Sequence, residues 1–430
     1  MKRFLFFSLV ISLLVSSLSG CGTTSTKTPG RIPGDSEVAF LTAEHFSSDR
    51  MAEDVGIEFR AAYADFALRL LAACNDSDGR LVSPLSVMTA LLMVANGACG
   101  ETREQFEQVL GGYMKVEKLN QELFNYYESL KVATSENARI DAANAVWMVI
   151  DFNFKVAEDF IRVISNTFDA QLAQGCFTDP KTVDAINEWS SQHTDGMIPK
   201  ILEYSDVNED TIMVLLNAIL FDALWREPYE DYQCRQAEFT AADDTKKNVT
   251  MMYCDEHMYL SGEYETGFVK GYRGGYAFVA LLPKEEMAMN DYLATLDGAR
   301  FMELMNGQEY ASVKTGLPKF SFDWSDSLKD ALITMGLTNC FDGQTSDLSD
   351  LGTYEPYEYS FVVSNVIHKT HIDVDESGTR AAAVTAVIVD GYRSFEENRY
   401  EVILDRPFVY AIIDTTNMLP VFIGTATNLG

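Results

Sequence analysis

The stretch DESGTRAAAVTAVIVD, residues 375–390, decides how the rest of the chain is read. It opens as a turn and then runs from Ala381 to Val389 without a charge, a proline or a glycine. Its alternate residues Thr379, Ala381, Ala383, Thr385, Val387 and Val389 are all small or β-branched, while Arg380 and Asp390 fall in the other register. Residues fit for burial at every second position mark a strand. Yet residues 375–378 read as a flexible hinge, and GYRSFEENRY, residues 391–400, is polar and loop-like. Both readings hold for a segment that is a loop in one state and a buried strand in another.

Working outward, 430 residues with 47% hydrophobic content can bury a large core. A formal charge of −31 makes nucleic acid or an anionic membrane surface a poor partner, because the phosphate term is repulsive. Lys2 and Arg3 precede an apolar run, residues 4–15, too short to span a bilayer, and LSGC, residues 18–21, looks like a lipoprotein cleavage and lipidation site. Residues 1–20 are thus expected to be a signal peptide with Cys21 the lipidated residue, and the lipid the only membrane contact. GTTSTKTPGRIPGDS, residues 22–36, begins a flexible tether expected over residues 21–48, and residues 49–430 are expected to form one domain. The other six cysteines, Cys74, Cys99, Cys176, Cys234, Cys254 and Cys340, have no CxxC spacing and read as buried free thiols.

Helical spacing of apolar residues predicts helices over residues 57–75, 83–100, in ETREQFEQVLG, in KVAEDFIRVISNTF and over residues 179–198. Residues 138–150 and 211–225 read as buried strands. The second half alternates short strands and turns, with one helix in SDSLKDALITMGL and strands in YSFVVSNVIHKTHIDVD, YEVILDRPFVYAIID and LPVFIGTATN. Helices early and strands late make an α+β pattern.

A catalytic centre is not legible. There is no GxSxG elbow, no HExxH and no phosphate loop, and GYRGG, residues 271–275, reads as a hairpin turn. His368 and His371 sit three apart on a strand, so they face opposite sides and share no metal. Neither a metal nor a cofactor is expected, nor an enzymatic activity.

The chain resembles the serpins, the serine-protease-inhibitor fold family. ESGTRAAA, residues 376–383, is similar to the family's hinge motif, and ILDRPFVYAII, residues 403–413, to its carboxy-terminal signature. The likeness continues, in the family's order, through SPLSVMTALLMVANGACGET, DAANAVWM, INEWSSQHTDGMIPKIL, MVLLNAILFDALW and VIHKTHIDVDESGT, covering residues 58–428. The resemblance implies three β-sheets, about nine helices and an exposed reactive-centre loop from Gly378 to about Arg399. It implies that a target protease attacks this loop, and that the loop inserts into the main sheet while the enzyme is still acylated. Roughly fourteen inserted residues at about 3.3 Å each make a strand of roughly 45 Å.

By the same resemblance Glu376, Gly378, Thr379, Ala381, Ala382 and Ala383 form the hinge. Ser83, Ser86, Asn217 and His368 would cluster beneath the opening of the main sheet, and Trp225 would stand where the loop enters. The family register puts the attacked bond at Tyr392–Arg393, with Arg393 and Phe395 as neighbouring baits for trypsin-like and chymotrypsin-like pockets. Where the family usually has a glycine before its tryptophan this chain has FDALW, and its loop looks a few residues longer than in common inhibitory members. The expected partner is a serine protease held covalently by a monomeric inhibitor on the cell envelope. Cysteine proteases, trapped as thioesters, and a non-inhibitory binding or chaperone module are the alternatives.

Overall fold

Apolar residues at three- and four-residue spacing coil the first third of the chain, and β-branched and aromatic runs extend most of the rest. The computed structural model describes residues 38–40, 51–74, 79–135, 137–150, 154–168, 170–196, 198–209, 211, 213–354, 360–379 and 399–429. Nine α-helices lie among them: α1 (Ile57–Ala73), α2 (Pro84–Ala95), α3 (Gly100–Gly111), α4 (Val116–Ala133), α5 (Glu158–Phe168), α6 (Pro180–His193), α7 (Met289–Leu293), α8 (Gly298–Asn306) and α9 (Lys329–Thr334). The strands of the first half are β1 (Ala39–Phe40), β2 (Gly79–Val82), β3 (Ala138–Val149), β4 (Phe154–Val156), β5 (Gln171–Gly175) and β6 (Met213–Leu224). Then come β7 (Cys234–Thr240), β8 (Lys246–Ser261), β9 (Glu265–Gly271), β10 (Tyr276–Pro283), β11 (Glu309–Pro318) and β12 (Phe320–Ser327). The last are β13 (Gly352–Tyr354), β14 (Ile367–Val374), β15 (Gly378–Thr379), β16 (Arg399–Ile403), β17 (Phe408–Asp414) and β18 (Pro420–Ala426).

Three sheets result. The main sheet runs β1-β5-β3-β6-β15-β14-β12, and its pairs are antiparallel except β3 with β5. A nine-stranded sheet runs β16-β11-β8-β9-β10-β17-β18-β2, with β7 also on β8, and a two-stranded ribbon joins β13 to β4.

β3 shows why its sequence is continuously apolar. Val146 and Met148 enter the large core shared with α1 and α2, whereas Ala145 and Trp147 enter a second core under α6 with Val183, Ile186 and Trp189. A strand covered on both faces has no polar side. All residues of α2 are buried, as a helix apolar all round requires. Ser83 caps it by accepting from the Ser86 N–H, with Pro84 in the first turn.

Several expectations need correction. β12 continues through Ser327, so the helix expected in SDSLKDALITMGL is only α9. Lys155 and Val156 leave the expected helix to pair with β13. β14 starts at Ile367, and Phe361, Val363 and Val366 are buried without joining it. α4, α7 and α8 were unmarked: α4 mixes its apolar stripe with charges, and the other two are short turns between strands. Inside the expected tether, Ala39 and Phe40 pair with Gln174 and Ala173 of β5. Among the described residues all six cysteines are free, but only Cys74 and Cys340 are buried, their thiols pushed up to about 12 by desolvation. Cys99, Cys176, Cys234 and Cys254 are half-buried. The expected signal peptide, Cys21 and most of the expected tether lie outside the described residues. No described helix is long and apolar enough to cross a membrane.

Several buried side-chain polar atoms lack a hydrogen-bond partner among the described residues. The Tyr410 hydroxyl is buried on β17 with no hydrogen-bond partner among the described residues, against Gly424. An orphaned buried hydroxyl costs about 1–2 kcal/mol, so Tyr410→Phe is expected to raise the denaturant midpoint by that equivalent with an unchanged slope.

Candidate functional site: the hinge and the opening of the main sheet

The hinge is built by Asp375. Its Oδ1 accepts from the N–H of Ser377 at 2.7 Å and of Gly378 at 3.1 Å, closing the tight turn that an Asp at this position favours. The chain thereby reverses from β14 into β15. Val374 pairs with Thr379 on one side, and on the other Gly378 pairs with Leu224 and Thr379 with Ala223. Only glycine fits at 378, since a Cβ would collide with the Ala223 carbonyl. Among the described residues β6 and β14 are joined in the sheet through β15. Beside Thr379 lies a narrow, mostly apolar slit lined by Phe221, Ile372, Ile412 and Phe422, with His371 and Asp373 also on its wall.

A platform grips this turn. Trp225 Nε1 donates to the Asp375 carbonyl at 2.8 Å, and the N–H groups of Tyr229 and Trp225 donate to the carbonyls of Glu376 and Ser377, each at 2.9 Å. The Trp225 ring stacks on Tyr272 at 4.3 Å, and the Tyr272 hydroxyl shares a 2.5 Å hydrogen bond with Thr379 Oγ1. Burial pushes the Tyr272 phenol well above its ordinary range, so it stays protonated for that bond. Glu376 pairs with Lys319 at 2.5 Å, and the Lys319 ammonium holds its carboxyl below the usual value. Both side chains are about two-fifths exposed, so this pair is worth at most about 1 kcal/mol.

Farther down, the Ser83 N–H donates to His368 Nε2 at 3.0 Å, and the Ser83 hydroxyl donates to the Val421 carbonyl at 2.9 Å. The N–H of Ser86 closes on the same hydroxyl at 3.3 Å. His368 therefore meets the backbone of Ser83 rather than its hydroxyl. Thr370 Oγ1 donates to the Leu81 carbonyl at 2.7 Å, a second tie from β14 to β2. Asn217 lies in β6 opposite Asn144 of β3, and its side chain lies outside those described.

Of the residues expected from the sequence, Ser83, Ser86 and His368 share one network, and Trp225, Glu376, Gly378 and Thr379 share another. Ala381, Ala382, Ala383, Tyr392, Arg393 and Phe395 lie outside the described residues. Tyr272, Tyr229 and Lys319 were missed. They are distant in sequence from the hinge, and only the hairpin turn beside Tyr272 could have drawn attention to it. His368 is buried and His371 half-exposed, on opposite faces of β14 as alternation requires. Among the described residues no group of three or more His, Cys, Asp or Glu could hold a metal ion.

Burial lowers the His368 pKa from 6.5 to about 4, because an imidazolium there is desolvated and its Nε2 must stay an acceptor. A depressed value contributes stability that is present above pH 6.5 and lost as pH falls toward 4. Relative to His368→Gln, the chain is expected to lose about 2 kcal/mol between pH 7 and 5. Denaturant midpoints of both proteins at the two pH values test this; parallel curves would refute it.

This arrangement has counterparts. Residues 61–429 match the family model described as Serpin (serine protease inhibitor). Tengpin, a thermophilic serpin, in its native state is 35% identical with a TM-score of 0.84, covering 91% of this chain and 100% of that one. The same protein in its latent state superposes less well, with a TM-score of 0.77. Iripin-5 of Ixodes ricinus is 29% identical over 86% of this chain and 95% of its own. Thyroxine-binding globulin in complex with thyroxine, 23% identical over 86% of this chain and 98% of its own with a TM-score of 0.74, shares the fold. With its signature stretches in family order, its three sheets and a family match over most of its length, the chain belongs to the serpin family.

Proposed function

We propose that this serpin is a suicide-substrate inhibitor of serine proteases with chymotrypsin-like or trypsin-like pockets. The observation that carries the reading is β15: the first hinge residues are seated between β6 and β14, with Thr379 buried and a mostly apolar slit beside it. The protease serine attacks the carbonyl carbon of Tyr392, the Tyr392–Arg393 bond breaks, the Arg393 amine leaves with a proton, and an ester joins Tyr392 to the enzyme. The freed loop then zips into the sheet before water can cleave that ester.

The register of β15 says where each residue would land. If the inserted loop kept this register, Ala381 would stand opposite Phe221 and Ile372, Ala383 opposite Ile219 and Thr370, and Thr385 opposite Asn217 and His368. Small residues suit this path because each would have to fit between β6 and β14. A charge on that face would be buried unpaired at a cost of several kcal/mol. Insertion would slow against deacylation, and the inhibitor would become a substrate. Adding a strand to an existing sheet gains main-chain ladder bonds regardless of side chain, so the driving force lies in the sheet and the selectivity in the loop.

We further place the protein on the cell envelope, held by a lipid on Cys21 and a tether. Cys21→Ser is expected to abolish labelling by a radioactive fatty acid and to release the protein into the soluble fraction. Labelling that survives would overturn the anchor.

The direct test mixes residues 38–430 with a chymotrypsin-like and a trypsin-like protease. A band on denaturing gels at the summed mass less the released residues 393–430, together with a small fragment whose new amino terminus is Arg393, is expected. Ala383→Glu is expected to keep loop cleavage while losing about nine-tenths or more of the covalent product, since each 1.4 kcal/mol is about tenfold. Loop cleavage by the wild type with no covalent band would refute inhibition and favour a binding module. A covalent band only with a thiol protease would move the target class to cysteine proteases.

A further inference from the structure

Lys270 lies on β9 with its side chain 2% exposed. Its ammonium donates to Glu256 Oε1 at 2.8 Å and to the Glu227 carbonyl at 3.1 Å. It also stands 4.3 Å from the ring centre of Tyr229 and 5.4 Å from that of Trp225. Glu227 is the middle residue of the segment 225–229, whose two ends make the three hydrogen bonds to the hinge. One ammonium therefore holds that segment at its central carbonyl and against both end rings.

Its remaining strong contact leads elsewhere. Glu256, on β8, stands opposite Val313 of β11, and Val313 stands opposite Tyr400 of β16. β16 is the strand by which the chain rejoins a sheet after the loop. The ammonium thus ties the platform under one end of the loop to strands that carry the other. Filling the space alone would not call for a cation, since an apolar side chain of similar volume packs there without desolvating a charge pair. What an apolar side chain cannot do is fix the Glu227 carbonyl and face two aromatic rings at once. Burial, the largest single influence, would lower the Lys270 pKa, but Glu256 together with Cys254 and Glu227 holds the group above its ordinary value, so it stays charged.

We propose that Lys270 is a positioning residue for loop entry, holding the segment 225–229 so that Trp225 and Tyr229 present their N–H groups to the hinge carbonyls. The proposal rests on the inhibitory reading only in that loop insertion starts at this hinge. It touches neither the protease nor the attacked bond.

The test compares Lys270→Met with Lys270→Met/Glu256→Met, which also removes the carboxylate left behind. Three readouts are taken: thermal midpoint, hydrogen exchange of the Trp225 and Tyr229 amides without any protease, and moles of inhibitor consumed per mole of protease. In both variants those two amides are expected to exchange about tenfold faster or more, with β17 amides unaffected, as loss of local rather than global protection requires. Inhibitor consumption is expected to rise while the rate of loop cleavage stays constant. The double variant is expected to recover the thermal midpoint but neither of the other two readouts. If it recovers all three, Lys270 serves only to neutralise Glu256 and the proposal falls; unchanged exchange in both variants would also overturn it. Because exchange is read without protease, a wild type that forms no covalent product would sink the inhibitory reading while exchange still decides the role of Lys270.

Discussion

Three successive backbone carbonyls, those of Asp375, Glu376 and Ser377, are each held by a donor from Trp225 or Tyr229. The rest of the structure depends on this grip, because it fixes where a strand can begin between β6 and β14. Side chains could vary widely around it, but the donors must stay at hydrogen-bond distance from a turn that Asp375 alone closes from within. The exposed Lys319–Glu376 ion pair adds little to it by comparison.

The sheet around this point falls into two separately paired parts among the described residues. β3 and β6 share a long antiparallel ladder and are sealed between two cores, so the half of the sheet on their side is rigid. β12 and β14 form a second rigid pair. The join between the halves passes through the two residues of β15. Below it, β14 is tied to the layer beneath by His368 to Ser83 and Thr370 to Leu81, bonds that hold β14 down without bonding it to β6. Each half therefore has a ladder of its own. His368 makes that hold dependent on proton concentration, since its ring accepts only when neutral.

Charge follows the same division. Lys270 and Glu256 pair beneath the platform, where a displaced carbonyl would be costly. The hinge face entering the sheet, by contrast, carries no ionisable group among Thr379, Ala381, Ala383 and Thr385.

The sequence by itself determined the class of fold, the order of its signature stretches and the alternation of small and β-branched residues in residues 375–390. All of these rest on local signals: alternation, small residues, turn chemistry and motif order. The helix cap at Ser83, the buried strands β3 and β6 and the opposed faces of His368 and His371 were legible in this way. The short helices α7 and α8, the end of β12 and the pairing of Ala39 and Phe40 were not, since in each the long-range ladder or packing partner overrides a weak local preference. Only the tertiary structure decided that Tyr272, Tyr229 and Lys270 serve the hinge, because they lie more than a hundred residues from it and meet it only when β6, β9 and β14 are packed together. Periodicity tells which face of a strand is buried; it cannot tell which atoms wait on the other side.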